Sequence, residues 1–206
     1  MCTAYEIGPD ASRTEFPAVA DFIAALAELP ARLVRPTLEA PVMMPGGSLE
    51  TMSWGFRRQF AAKAKGRPPL RRTIVNSRED KLAGPVWREA FQERRCLIPA
   101  TAFYEWIEQG GSNVPLRFRH PDGGLLWIAG IWEDHAEHGR CYSMITTEPT
   151  AAIAPVHDRM PAVLPESKVL PYLRGELQDF GPSPVPLAFQ EAANFLKPPS
   201  AQGELF

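Results

Sequence analysis

Cys2 follows the initiator methionine, so removal of Met1 would leave it with a free α-amine and a thiol on adjacent carbons. The amine titrates at about 8 and the thiol at about 8.5, which makes either a nucleophile near neutral pH without extreme tuning. Such a 1,2-aminothiol is an aldehyde trap. A cysteine in a frayed terminus that does nothing is the alternative. Three further polar residues stand in apolar or rigid surroundings. Glu105 lies inside FYEWI, where partial desolvation would raise its pKa into the range of a general acid or base; an edge-strand glutamate facing water is the other reading. His157, in PVHDRMP, is bracketed by Pro155 and Pro161, which stiffen the backbone around an imidazole that titrates in the working range, or around a merely structural one. Asn76 closes a short strand before Ser77 and Arg78, where its amide either orients a substrate or serves as an ordinary turn residue.

The elements that must position these groups follow from the apolar pattern. Phe22, Ile23, Leu26 and Ala27 share one helical face between Pro17 and Pro30, a surface helix. Residues 30–50, rich in Pro, Gly and Met without a period, read as irregular connection. Met52, Trp54 and Phe56 alternate as a half-buried strand, residues 57–69 read as a basic loop, and residues 73–76 as a second short strand. Pro85 suits the first position of a helix through Val86, Ala90 and Phe91. Residues 96–98, 102–107, 116–120, 125–132 and 141–146 are apolar or alternating strands, with Asp122-Gly123-Gly124 as a hairpin signal. Residues 169–173 form a last short helix, and prolines recur from Gly175 onward. Consecutive strands with few helices predict an α+β fold, one domain with a curved or barrel-like antiparallel sheet.

Composition narrows the chemistry. The 206 residues suffice for one core, and 45% hydrophobic with 22% charged residues is the balance of a water-soluble globular chain. No apolar run reaches bilayer-spanning length, so no membrane role is expected. The start lacks the order of a signal peptide, which predicts a cytoplasmic protein with reduced thiols. Cys2, Cys96 and Cys141 are odd in number and form no CxxC, so they read as free thiols. His135 and His138 make an HxxH in WEDHAEHGR, better explained by a polar loop tip than by a metal; neither metal nor cofactor is expected. The net charge is −2, yet residues 57–81 hold nine Lys and Arg against Glu79 and Asp80. That block is either a solvated face or a strip of phosphate contacts.

Three longer blocks carry a resemblance. RRCLIPATAFYEW (94–106), IAGIWE (128–133) and ITT…HDRMPAVL (145–164) are similar to the signature blocks of the SRAP family, the SOS response-associated peptidases now regarded as abasic-site processing proteins. The resemblance runs from Cys2 to about Leu173 and implies a catalytic domain over 1–175, followed by a Pro-rich extension over 176–206. It implies Cys2 as nucleophile once Met1 is gone, with self-removal of Met1 as the peptidase-like step, and Asn76, Glu105 and His157 as its active-site partners. Arg78 and Arg159 match arginines that grip phosphates of single-stranded DNA; Trp106 and Trp54 match aromatics near the bound strand. Two departures stand out. The family commonly begins MCGRF and this chain begins MCTAY, so Ala4 replaces a DNA-binding Arg; WGLIP is here WGFRR, where Arg57 and Arg58 would restore positive charge.

What the resemblance implies is capture of a ring-opened abasic deoxyribose by a monomeric protein, as a thiazolidine crosslink that shields the site from cleavage. An N-terminal-nucleophile hydrolase of the class II amidotransferase kind is a rival, weakened because the chain contains no Asn-Gly. A non-catalytic single-strand binding module is another. At the far end, QGELF resembles the Q-x-x-L-F pentapeptide that docks on the bacterial sliding clamp, with Gln202, Leu205 and Phe206 as anchors.

Overall fold

Val, Ile and aromatic side chains fill pleated surfaces buried on one or both faces, and this turns the apolar stretches after residue 94 into strands. The computed structural model describes residues 2–8, 11, 14–61 and 66–196. In chain order the elements are β1 (Tyr5–Ile7), α1 (Ala20–Ala27), β2 (Arg32–Val34), β3 (Glu39–Met43), β4 (Leu49–Trp54), β5 (Phe56–Phe60), β6 (Leu70–Ile74) and β7 (Asn76–Arg78). They continue with α2 (Arg88–Glu93), β8 (Arg95–Ala100), β9 (Ala102–Gln109), β10 (Ser112–Arg119), β11 (Leu126–His135) and β12 (Gly139–Thr147). The last are β13 (Met160–Pro161), β14 (Val163–Leu164), α3 (Glu166–Leu173) and β15 (Ala188–Glu191). No described helix is long and apolar enough to cross a membrane.

Strands β12, β4, β3, β8 and β11 are bonded in that order, and β11 pairs back onto β12, so five strands close into a barrel. Most ladders are antiparallel; β12 runs parallel to both β4 and β7. A second sheet, ordered β15, β10, β9, β1, β2, lies beside it, and β5 with β6 makes a separate two-stranded ribbon. This is the expected α+β fold with a barrel-like sheet. The Tyr5 and Tyr142 hydroxyls, 2.5 Å apart and buried, tie β1 to the barrel strand β12. Trp54 packs between these two rings, edge-on to Tyr5 at 5.1 Å and stacked on Tyr142 at 6.4 Å.

Several expectations are corrected. Residues 30–50 are not irregular: they hold β2, β3 and the start of β4. Pro41 sits inside β3. β8 meets β3 in register only at Met43, so the edge beside Pro41 is open and its missing N–H breaks no ladder there. The basic loop begins as strand β5, and the helix placed at Pro85 starts at Arg88. Asp122-Gly123-Gly124 is no hairpin. It carries the chain from β10 in one sheet to β11 in the other, whereas the hairpin turn missed from sequence lies at Gly110-Gly111, between β9 and β10. The Gln202, Leu205 and Phe206 reading and Met1 lie outside the described residues.

Candidate active site

Cys2 reaches its neighbours because β1 pairs antiparallel with β9, Tyr5 opposite Phe103, and the pairing runs on toward the amino terminus through the Tyr104 N–H, which donates to the Ala4 carbonyl at 3.0 Å. That draws residues 2–4 along the segment carrying Glu105. The third wall comes from β7, whose Asn76 lies level with Met144 of β12. Asn76 Nδ2 donates to the Cys2 carbonyl at 2.8 Å. Strand spacing thus brings three of the four expected catalytic residues together from positions 74 and 103 residues after Cys2. His157 follows a turn anchored by its own N–H on the Ile153 carbonyl.

Burial governs the electrostatics. Glu105 is 1% exposed, and burial pushes its carboxyl up to about 7, with the positive amino terminus offsetting part of the rise and Asp158 adding to it. Burial also lifts the Cys2 thiol to about 12, helped by the Glu105 charge. The thiol is therefore protonated at neutral pH and donates to the Ala4 carbonyl at 3.3 Å. For His157 burial lowers the pKa, the positive amino terminus lowers it further, and Asp158 raises it. Its Nδ1 accepts the Arg159 N–H at 2.9 Å, and Asp158 Oδ1 lies 2.8 Å from the same nitrogen, so a proton gained there meets a carboxylate. Burial thus pushes the Glu105 acid up and the His157 imidazole down, the two directions that suit an acid and a base to proton transfer.

Two arginines frame this group. Arg78 is level with Thr146 on the neighbouring strand, and Arg159 donates to the Thr146 carbonyl at 2.5 Å. Arg78 is held by Asp80 through two bonds of 2.9 and 3.1 Å, a pair exposed to water and hence weak enough to yield to a phosphate. Buried Asn76 Oδ1, Thr146 Oγ1 and Arg159 Nε have no hydrogen-bond partner among the described residues, a concentration of unmet polar atoms that favours a polar ligand. Thr146 and Asp158 were missed from sequence, although both stand within the ITT…HDRMP block. A cleft of about 570 Å³ opens beside Arg159 and Thr147, but Cys2, Asn76, Glu105 and His157 do not line it.

Other expected residues fall elsewhere. Trp54 is a correction: fully buried, with its indole N–H on the Val75 carbonyl at 3.0 Å, it is core and offers no face to a base. Trp106 is on the face of β9 opposite Glu105, beside Tyr104, with Phe195 edge-on at 5.6 Å. Arg58 pairs with Glu133, and Arg57 turns in to the Gly55 carbonyl and to Ser53 Oγ, so neither stands in for an arginine at buried Ala4. Among the described residues no three His, Cys, Asp or Glu are grouped to hold a metal.

Residues 1–193 match the family described as SOS response associated peptidase (SRAP). Abasic site processing protein YoaM of Bacillus subtilis is 30% identical over 123 residues, covering 56% of this chain and 52% of that protein. YoqW of the same organism, also named an abasic site processing protein, is 28% identical over 137 residues, 64% of this chain and 59% of its own. The matched part thus spans between half and three fifths of these relatives. A crystal structure of a Bordetella bronchiseptica protein superposes with a TM-score of 0.70 at 22% identity, covering 94% of this chain and 100% of that one. One from Bacteroides thetaiotaomicron gives 0.69 at 19%, covering 94% and 93%. At those identities the likeness is one of fold.

Proposed function

The chain belongs to the SRAP family, and on that premise we propose that it processes abasic sites in DNA by forming a covalent thiazolidine with the ring-opened sugar in single-stranded DNA. The observation that carries this reading is the Asn76 amide fixing the Cys2 carbonyl beside a buried Glu105 that titrates at about 7.

The step balances as follows. With Met1 removed, the Cys2 amine adds to aldehyde carbon C1′, forming a C–N bond, and the carbonyl oxygen takes a proton. Loss of water from this carbinolamine gives the imine. Cys2 Sγ then forms a bond to C1′ while the thiol proton passes to the nitrogen, closing a five-membered ring. An imine left open invites β-elimination and strand breakage; closure removes the group that drives it. Glu105, near half-protonated at neutral pH, delivers and takes the protons at nitrogen and at the departing hydroxyl. The thiol is protonated in this setting, so Glu105 is also the group that relays its proton to the nitrogen on closure. His157 protonates the sugar ring oxygen to open it, and Asn76 holds the nucleophile's backbone in place. Arg78 and Arg159 hold flanking phosphates. The cytoplasm as its location and the clamp as a partner of the C-terminal residues belong to the same proposal.

The test is an oligonucleotide with one abasic site, incubated with protein whose intact mass shows Met1 removed. We expect an adduct that survives heating, with a mass of protein plus DNA less one water. Cys2→Ala should give none that survives without reduction, because its amine can form only the imine. A heat-stable, unreduced adduct from Cys2→Ala would refute the scheme.

A further inference from the structure

The charge block at residues 57–81 and the HxxH are both left unused by the site above, yet the fold brings them together. The ribbon of β5 and β6 stands against the turn joining β11 to β12, and the groove between them, about 130 Å³, is lined by Arg57, Arg58, Arg71, Arg72, His135 and His138, with Glu137 as its acid. The imidazoles stack at 4.8 Å, and His135 Nδ1 accepts the Glu137 N–H at 3.1 Å. In the ribbon Arg58 stands directly opposite Arg72 and Gln59 opposite Arg71. Like charges face to face across a strand pair destabilise it, and Glu133 offsets this on the Arg58 side only, so an anion beside Arg71 and Arg72 would relieve the rest. Glu133 neutralises Arg58, Arg57 donates to the Gly55 carbonyl and to Ser53 Oγ, and among the described residues Arg71 and Arg72 have no hydrogen-bonded or ion-paired partner.

We infer that this groove binds a backbone phosphate of the DNA strand flanking the abasic site. It is a small groove rimmed mainly by cationic side chains, which suits a phosphate group whose attached sugars lie outside it, as in a polymer's backbone. The place also suits one strand reaching both sites. Met144 is level with Asn76 at the catalytic end of β12, and Gly139, opposite His135, begins the same strand. Five residues of strand span roughly 17 Å, about five phosphates at the 3.4 Å axial spacing of one duplex strand. The inference rests on the abasic-site reading only for the identity of the DNA.

The experiment compares the parental full-length protein with R71A/R72A and R71K/R72K. Equilibrium binding to an undamaged single-stranded 20-mer is measured across a salt series. R71A/R72A should bind about tenfold more weakly at low salt, and its log–log salt slope should shrink by about 0.7, the share of one phosphate neutralised on a single strand. R71K/R72K should keep the slope. Crosslinking to an abasic oligonucleotide with two nucleotides on each side should be unchanged in R71A/R72A, since that strand does not reach the groove; lengthening one flank, and only one, should restore the difference. Parental affinity and slope in R71A/R72A would overturn the inference. So would a saturable response of the His135 and His138 imidazole resonances to inorganic phosphate with no change in the DNA slope, which would assign the groove to free phosphate. If the parental protein crosslinks nothing while R71A/R72A still loses slope, the groove stands and the proposed chemistry falls.

Discussion

Glu105 is the residue whose environment does most to set the chemistry, and it leaves a signature in stability as well as in rate. Its folded pKa of about 7 lies above the ordinary carboxylate value, so the folded state holds the proton more tightly than the unfolded chain does. The cost of ionising it in place is absent below about pH 4.5, grows as pH rises to 7 and is then constant, at no more than ~3 kcal/mol. Glu105→Gln should therefore match the parental protein at pH 4.5 and exceed its denaturant-unfolding free energy at pH 8, while losing the ionisation near 7 from the pH profile of crosslinking. Equal stability at both pH values would mean that the carboxylate is better solvated than its 1% exposure implies. The apolar spelling around Glu105 made this perturbation legible in the sequence. Trp54 was not legible in the same way: alternation with Met52 and Phe56 identifies a strand face, but nothing local says whether that face meets a core or a ligand. The partners of Arg57 and Arg58, Ser53 and Glu133, were not legible for a similar reason, since tertiary structure fixes them.

At the scale of elements, the turn between β4 and β5 decides where the basic ribbon points. Gly55 has φ +112°, and a Cβ there would collide with the Thr73 methyl of β6. Gly55→Ala should cost more than the ~1 kcal/mol of an ordinary Gly replacement, because both backbone strain and overlap oppose it. Thermal unfolding should show a clear drop in midpoint, and DNA affinity should fall with the ribbon's orientation even where the protein remains folded. Sequence reading located the five long strands of residues 95–147 because their apolar runs are long enough to outvote local turn residues. It failed over residues 30–50, where Pro41 lies within and Pro36 and Pro45 flank short strands whose hydrogen bonds come from β1, β4 and β8. The same limit explains Asp122-Gly123-Gly124: a turn sequence states that the chain reverses, while the choice of sheet belongs to the strands on either side.

For the molecule as a whole, the segment after residue 175 is bound to the core in ways its composition hides. Arg95 is buried without a carboxylate partner; its guanidinium donates to the carbonyls of Tyr172 at 3.2 Å and Leu177 at 2.6 Å, and its Nε to Phe91 at 2.7 Å. Phe180 closes over Phe91 and Tyr172 at 6.3 and 5.7 Å, and β15 adds the outer strand to β10. A chain ending at residue 175 would lose one of the three carbonyls that solvate a buried cation, the Phe180 ring and an edge strand together. Stranding a buried charge costs several kcal/mol in its own right, and uncovering apolar surface adds to it. We predict that truncation after Gly175 yields insoluble or unfolded protein. Truncation after Leu196 removes none of these contacts and should leave the unfolding midpoint within a degree or two, about the shift of a few tenths of a kcal/mol for a domain of this size. The resemblance implies a domain ending at residue 175; we propose that the folding unit runs on through β15, because Arg95 holds Leu177 and β10 holds β15, and a soluble 1–175 fragment with a cooperative transition would return the boundary to residue 175.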